Sequence, residues 1–224
     1  MKRISCIIFD LDGTLAQTSE LIYASFNHIA EKYVHKIFTT EEIIAMFGPP
    51  EEVSVERVVG KARLAEVMAD YYEYYSMHHP RMADAYAGIR DLLEYLKNHG
   101  IILAVFTGKG KRTTIITLEQ LGIINYFDLL VTGDDVENYK PSADGIRKVL
   151  KKFKLQPEDA LMVGDAVSDV RAAREAGVPI AAVLWDSYGK EHVLKMDVDY
   201  LFHDVAGFAA WLKAAIVPNG DRPD

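Results

Sequence analysis

Cysteine is almost missing from this chain of 224 residues: Cys6 stands alone. A lone thiol forms no disulfide within one chain, so the fold must rest on packing, as suits a reducing compartment. Long apolar runs are missing too. The run that follows Lys2 and Arg3 ends within a few residues in two acids, which reads as neither a membrane span nor a signal peptide. Basic stretches are few. With a formal net charge of -8, the molecule as a whole repels phosphate backbones, and its densest basic cluster, Lys148, Lys151, Lys152 and Lys154, reads as a solvated helix face. The seven histidines show no His-Glu-x-x-His or Cys/His zinc spacing. A soluble cytoplasmic protein is expected, monomer or homodimer, with no nucleic-acid or membrane partner. Repeats and low-complexity tracts are absent. Half of the residues are hydrophobic, enough for one large domain or a core with a smaller appendage.

The chain is organised around Ile7-Ile8-Phe9-Asp10-Leu11-Asp12-Gly13-Thr14-Leu15. The apolar run from Ile4 to Phe9 reads as a strand buried on both faces, with Cys6 as a small core residue. Carboxylates are almost never buried without partners, so Asp10 and Asp12 are expected where the strand leaves the sheet. Gly13 permits a sharp turn there and Thr14 supplies a hydroxyl. Two acids held close repel each other unless a cation neutralises them or one is protonated. A hard cation such as Mg2+ takes one or two carboxylates together with substrate phosphate oxygens. Taken alone, Asp-x-Asp-Gly is equally compatible with an ordinary turn or a calcium-loop fragment.

From Gln17 to about Pro80 no strand is evident. Leu21, Ile22, Ala24, Ser25, Ile29 and Ala30 fall near helical spacing. Thr39-Thr40-Glu41-Glu42 reads as a helix start, with a threonine cap and acids in the first turn. Gly48-Pro49-Pro50 stops that helix, and Glu51-Glu52 open the next. A helix from Ala65 to Met77 is expected to end before His78-His79-Pro80, near a hinge. Its tyrosines, Tyr71, Tyr72, Tyr74 and Tyr75, cannot share one helical face. Beyond Ala87 strands and helices alternate. Helices are expected over Ile89–Asn98, Thr113–Leu121, Ser142–Phe153, Val167–Ala176 and Val205–Ile216. Strands are expected over Ile101–Phe106, Phe127–Val131, Ala160–Val163 and Ile180–Leu184, with a last short one at Tyr200–Phe202. This alternation predicts an α/β fold with a doubly wound parallel sheet. Residues 1–16 and 81–217 form the expected core domain, 17–80 a small all-α domain inserted after the first strand, and 218–224 a frayed tail.

The first four strands each lead toward a polar group: Asp10 and Asp12, then Thr107, then Lys140 beyond the third, then Asp165. Such convergence is what a site at the carboxyl edge of a sheet requires. Gly108-Lys109-Gly110 lacks the spacing of a phosphate-binding loop. It reads as a tight turn at a helix start, where Gly108 and Lys109 are able to touch phosphate.

These motifs also carry a resemblance. Asp10-Leu11-Asp12-Gly13-Thr14-Leu15 is similar to the first motif of the haloacid dehalogenase superfamily, in the form found in its phosphatases. Thr107, Lys140 and Gly164-Asp165-Ala166-Val167-Ser168-Asp169 resemble the later motifs in the same order. The resemblance implies a core with strand order 5-4-1-2-3 and a C1-type helical cap. It implies Asp10 as nucleophile forming an aspartyl phosphate, Asp12 as general acid and then base, Thr107 as a donor to the phosphoryl oxygens and Lys140 as the balancing charge. It further implies Mg2+ held by an Asp10 oxygen, the Asp12 backbone carbonyl and Asp165, with Asp169 touching it directly or through water. Gly48 and Pro49 resemble the cap segment that approaches substrate. The branch most similar contains phosphoglycolate phosphatases and PpaX-type pyrophosphatases, and Gly133-Asp134-Asp135-Val136 and Trp185 fit it. The implied activity is a Mg2+-dependent phosphatase of a small phosphorylated metabolite, phosphoglycolate first and pyrophosphate second. A β-phosphoglucomutase-like mutase and a non-catalytic binding protein are the alternatives. Two departures stand out: Ser142 replaces a frequent second proline after Lys140-Pro141, and Gly108 replaces a frequent asparagine.

Overall fold

The computed structural model describes residues 4–216. In chain order the elements are β1 (Cys6–Phe9), β2 (Ala16–Gln17), α1 (Ser19–Val34), α2 (Thr40–Ile44), α3 (Glu51–Val59), α4 (Leu64–Met82), β3 (Asp84–Ala85), α5 (Ile89–Asn98) and β4 (Ile102–Phe106). There follow α6 (Lys111–Gln120), β5 (Leu129–Val131), α7 (Asp144–Phe153), β6 (Ala160–Gly164), α8 (Val167–Ala176), β7 (Ile180–Val183), α9 (Lys190–Val193), β8 (Tyr200–Phe202) and α10 (Val205–Ile216). The expected tail, 218–224, lies outside the described residues.

A parallel six-stranded sheet has the order β5-β4-β1-β6-β7-β8. Its first five strands follow the expected order, and β8 extends it by one edge strand. β1 lies between β4 and β6, with Phe9 level with Val105 on one side and Val163 on the other. Side chains alternate across a strand. Ile7 and Phe9 therefore join Leu92, Leu96 and Phe208 under α5 and α10, whereas Cys6 and Ile8 join Ile146, Val149 and Val170 under α7 and α8. Burial on both faces is why β1 is continuously apolar. The chain leaves β1 toward β4 and β5 and returns on the other side of β1 as β6, so the topological switch falls between β1 and β6.

Helices α1 to α4 enclose a third apolar cluster, built on Leu21, Phe26, Ile29, Val55, Val67 and Tyr71. The short antiparallel pair β2 and β3 ties together the two chain passages that lead into and out of this helical segment. A threonine caps α2 as the sequence predicts: it is Thr39, in a capping box with Glu42. Tyr71 and Tyr75, four residues apart, are buried, while Tyr72 and Tyr74 are half-buried on other sides of α4. Among the described residues no helix is long and apolar enough to cross a membrane.

Local expectations are corrected at α4, β5 and α7. α4 does not stop before His78; it continues through Pro80 to Met82. Proline removes the donor that would bond the Ser76 carbonyl, and the Gln120 side-chain amide of α6 donates to that carbonyl at 2.9 Å instead. β5 starts at Leu129, not Phe127, because Asp128 turns its carboxylate to the Leu103 N–H and to Lys97. α7 starts at Asp144, not Ser142: the Ser142 hydroxyl accepts the Asp144 N–H. The short helix α9 lacks a sequence signal of its own.

One packing contact sets a tight limit. A Cβ on Gly145 of α7 would lie 2.1 Å from the buried Phe106 ring of β4. Gly145→Ala gains about 1 kcal/mol of helix propensity, but relieving the overlap costs about 1–3 kcal/mol or more. The variant is expected to melt several degrees lower in thermal unfolding; an unchanged or higher Tm would show that the ring moves aside freely.

Candidate active site

The carboxyl ends of β1, β4 and β6 meet at the switch point, where open α/β sheets bind ligands. Asp10 follows β1 directly, and its N–H donates to the Val163 carbonyl at 2.8 Å. Gly13, at φ +81°, turns the chain; a Cβ there would stand 2.7 Å from Asp165 Oδ2. The turn brings Thr14 back so that its hydroxyl donates to Asp165 Oδ1 at 3.2 Å. Thr107 follows β4, and its hydroxyl oxygen accepts the Lys109 N–H. Asp165 and Asp169 come from the junction of β6 and α8.

Lys140 reaches in from the loop before α7. Its Nζ lies 2.7 Å from Asp10 Oδ1 and 2.6 Å from Asp169 Oδ1, and 4.8 Å above the Phe106 ring. Asp169 Oδ2 accepts the Ala166 N–H at 3.0 Å. Oxygens of Asp10, Asp165 and Asp169 all lie within 4.8 Å of one another, a group able to hold a metal ion. Hard carboxylate oxygens without histidine or thiolate suit a hard cation. The crowding shows in the protonation of Asp10 and Asp165. Burial pushes Asp10 up to about 7, opposed by Lys140 and reinforced by Asp169 and Asp12. Burial, with Asp10 and Asp169, raises Asp165 as well. Burial disfavours the charge on Lys140, but Asp10 and Asp169 outweigh it and hold the ammonium more firmly protonated than usual.

Asp12 points elsewhere. Its Oδ1 accepts the Thr18 hydroxyl at 2.5 Å and lies 3.3 Å from Lys109 Nζ. Its carboxylate therefore stays outside the group formed by Asp10, Asp165 and Asp169. Lys109 is buried beneath the helical segment, 4.8 Å over the Tyr75 ring and 3.5 Å from Glu51.

Gly48 and Pro49 line the same cavity as Asp10, Thr107, Gly108 and Lys140. The glycine at position 108 has a physical reason: a Cβ there would stand 2.6 Å from the Gly48 carbonyl oxygen. The loop between α2 and α3 can settle on Gly108 only because that side chain is missing.

Glu51 and Thr18 are the partners that sequence reading missed. Glu51 opens α3, and its carboxylate accepts the Gly110 N–H at 2.8 Å and the Thr113 hydroxyl at 2.7 Å, joining the helical segment to the start of α6. Its only signal was an acid in a helix first turn, which ordinarily means no more than a favourable dipole contact. Thr18 occupies the N-cap position of α1, yet its hydroxyl caps nothing and goes to Asp12.

Fold and cluster together define a doubly wound α/β protein whose carboxylates and lysine converge at the sheet's switch point. The sequence profile of the haloacid dehalogenase-like hydrolases matches residues 7–183, and the chain belongs to that family. It is 33% identical over 203 residues to pyrophosphatase PpaX of Halalkalibacterium halodurans, covering 91% of this chain and 94% of that one. Among solved structures it is similar to the haloacid dehalogenase-like family hydrolase SP0104 of Streptococcus pneumoniae, with 29% identity and a TM-score of 0.76 over 95% of this chain and 100% of that one. It is also similar to CbbY of Rhodobacter sphaeroides in complex with phosphate, with 26% identity and a TM-score of 0.78 over 88% and 93%. The protein is a phosphohydrolase.

Proposed function

We propose that this phosphohydrolase is Mg2+-dependent and acts on a small phosphorylated metabolite through a phosphorylated Asp10. The observation that carries the reading is the placement of Asp10: its carboxylate sits beside Lys140 and within one acid cluster with Asp165, at the mouth of the central strand. The Asp10 carboxylate oxygen attacks phosphorus as the bond to the leaving oxygen breaks. Asp12, whose carboxylate is kept out of the acid cluster by Thr18 and Lys109, gives its proton to that leaving oxygen. It then takes a proton from water, which attacks phosphorus and frees Asp10 and inorganic phosphate. Thr107 and Lys140 hold the phosphoryl oxygens and offset their charge. Mg2+ would be held by Asp10, the Asp12 backbone carbonyl and Asp165, with Asp169 beside it, directly or through water. The ion supplies positive charge to the transferring group. The segment α1 to α4 acts as the cap that closes over substrate and excludes water. Pyrophosphate is supported by the name of the relative, and phosphoglycolate remains a candidate from the sequence resemblance.

Phosphate release should need Mg2+ and stop with chelator. Retention of the phosphoryl group on a second hydroxyl would instead favour a mutase. A stability measurement tests the metal site independently. Without metal, Asp10 titrates near 7 when folded, above its ordinary 3.8. A raised carboxyl pKa contributes stability at pH below about 4, and that contribution is lost as pH rises to about 7. The Mg2+-induced rise in Tm is therefore expected to be small at pH 5 and larger at pH 8. A shift that is absent, or equal at both values, would argue against Mg2+ at these acids.

A further inference from the structure

The cavity over Asp10 has two ends of opposite character. Its floor carries the acids and both lysines, and both lysines are already paired: Lys140 with Asp10 and Asp169, Lys109 with Asp12 and Glu51. Its roof, contributed by the helical segment, presents Ile22, Phe26, Met46, Phe47 and Pro49, together with Ser19 and Ser54. Six carboxylates line the whole space, Asp186 among them, and among the described residues no arginine or third lysine does. The cavity has a volume of about 120 Å³ and is partly open to solvent, with room for a phosphoryl group and a short substituent. Arg171 and His192 line an adjoining groove of about 500 Å³. Phe47 and Tyr188, in edge contact at 5.7 Å between ring centroids, line both spaces, as do Gly48, Lys140 and Ser168.

Resting on the phosphohydrolase reading above, we propose that the leaving group accepted here is an uncharged, partly apolar alcohol, and that substrates carrying a second anionic group are discriminated against. A carboxylate or a second phosphate placed under this roof gives up its hydration and finds no cation without a carboxylate partner, only apolar atoms, the hydroxyls of Ser19 and Ser54, and further acids. An uncharged substituent suffers neither loss, and its apolar surface is covered by Ile22, Phe26 and Met46. One ion at the acid cluster is committed to the transferring phosphoryl group and leaves the roof unchanged. Selection thus works by penalty against the second charge as much as by attraction. The inference runs against pyrophosphate and phosphoglycolate alike, although the fold and the reaction are those of the related pyrophosphatase.

The test compares kcat/KM for phosphate release, with Mg2+, from phosphoglycolate, from its carboxamide analogue, from propyl phosphate and from pyrophosphate. The carboxamide matches phosphoglycolate in shape and differs in charge. The expected result is at least a tenfold preference for carboxamide over phosphoglycolate, with propyl phosphate also above pyrophosphate. Met46→Lys places a cation in the roof and should lower the carboxamide-to-carboxylate ratio at least tenfold. Equal use of carboxamide and phosphoglycolate, or a preference for phosphoglycolate or pyrophosphate, overturns the proposal. If that activity then falls in Arg171→Ala, the second charge reaches the adjoining groove. Failure of the underlying reading looks different: no ester would then give phosphate above the Asp10→Asn background, and this inference would fall with it.

Discussion

Asp10→Asn is expected to lower kcat for phosphate release on the order of a thousandfold or more, with no loss of folded stability. The amide matches the carboxylate in size, so the turn and the Lys140 contact at Oδ1 survive. What is lost is the nucleophile: an amide oxygen cannot form the phosphorylated intermediate, and removing the group that makes a covalent bond costs orders of magnitude. Stability should move the other way. In the metal-free protein Asp10 is a buried acid pushed up to about 7, with Asp169 and Asp12 adding to the penalty. A neutral side chain relieves it above that pH, so the variant should melt at the same temperature or higher at pH 8 without Mg2+. Steady-state phosphate release and thermal unfolding on one preparation check both halves. More than a few per cent of residual kcat would remove Asp10 as nucleophile.

Lys140→Met should lower kcat about 10²–10³-fold, the range for deleting one preorganised charge at a reacting centre. Methionine approximates the length of the lysine stem and can still cover the Phe106 ring, so packing is largely preserved. The ammonium that joins Asp10 to Asp169 at 2.7 and 2.6 Å is not. Breaking a buried ion pair from one side costs about 3–5 kcal/mol, because the remaining charge is stranded. Asp10 escapes that cost by taking up a proton, so the deficit must depend on pH. With the cation gone its folded pKa rises further, and the penalty grows as pH climbs above the unfolded carboxyl value of about 4. The Tm difference from the unaltered protein should therefore be larger at pH 8 than at pH 5. Equal differences at both values would mean that Lys140 stabilises by packing and not by charge.

Much of this site was legible along the chain because its parts are local. A buried strand must be apolar until it leaves the sheet, so Asp10, Thr107 and Asp165 mark three strand ends by the abrupt arrival of a polar group after an apolar run. Helices α5, α8 and α10 begin and end where periodicity, Gly100, Gly177 and the amphipathic pattern place their limits. The parallel order follows from alternation of strand and helix under a handedness rule. Helix α4 runs five residues past Met77, the end expected because proline ordinarily ends a helix, and the rule that failed there is instructive. The freed carbonyl of Ser76 is satisfied by Gln120, which lies 44 positions away and on another helix.

The sequence by itself determined the fold class, the strand ends and the acids, lysine and threonine gathered there. Each is dictated by neighbours within a turn or a strand, through burial and backbone geometry. Only the tertiary structure decided how those groups are shared out. It paired Lys140 with both Asp10 and Asp169, turned the Asp12 carboxylate to Thr18 and Lys109, and set Glu51 of the helical segment on the first turn of α6. It also made Gly108 the landing place of the Gly48 carbonyl and gave the cavity a largely apolar roof without a free cation. Those outcomes depend on which distant side chains come within a few ångströms once three apolar clusters have packed. The pattern of residues along one segment carries no record of its distance to another.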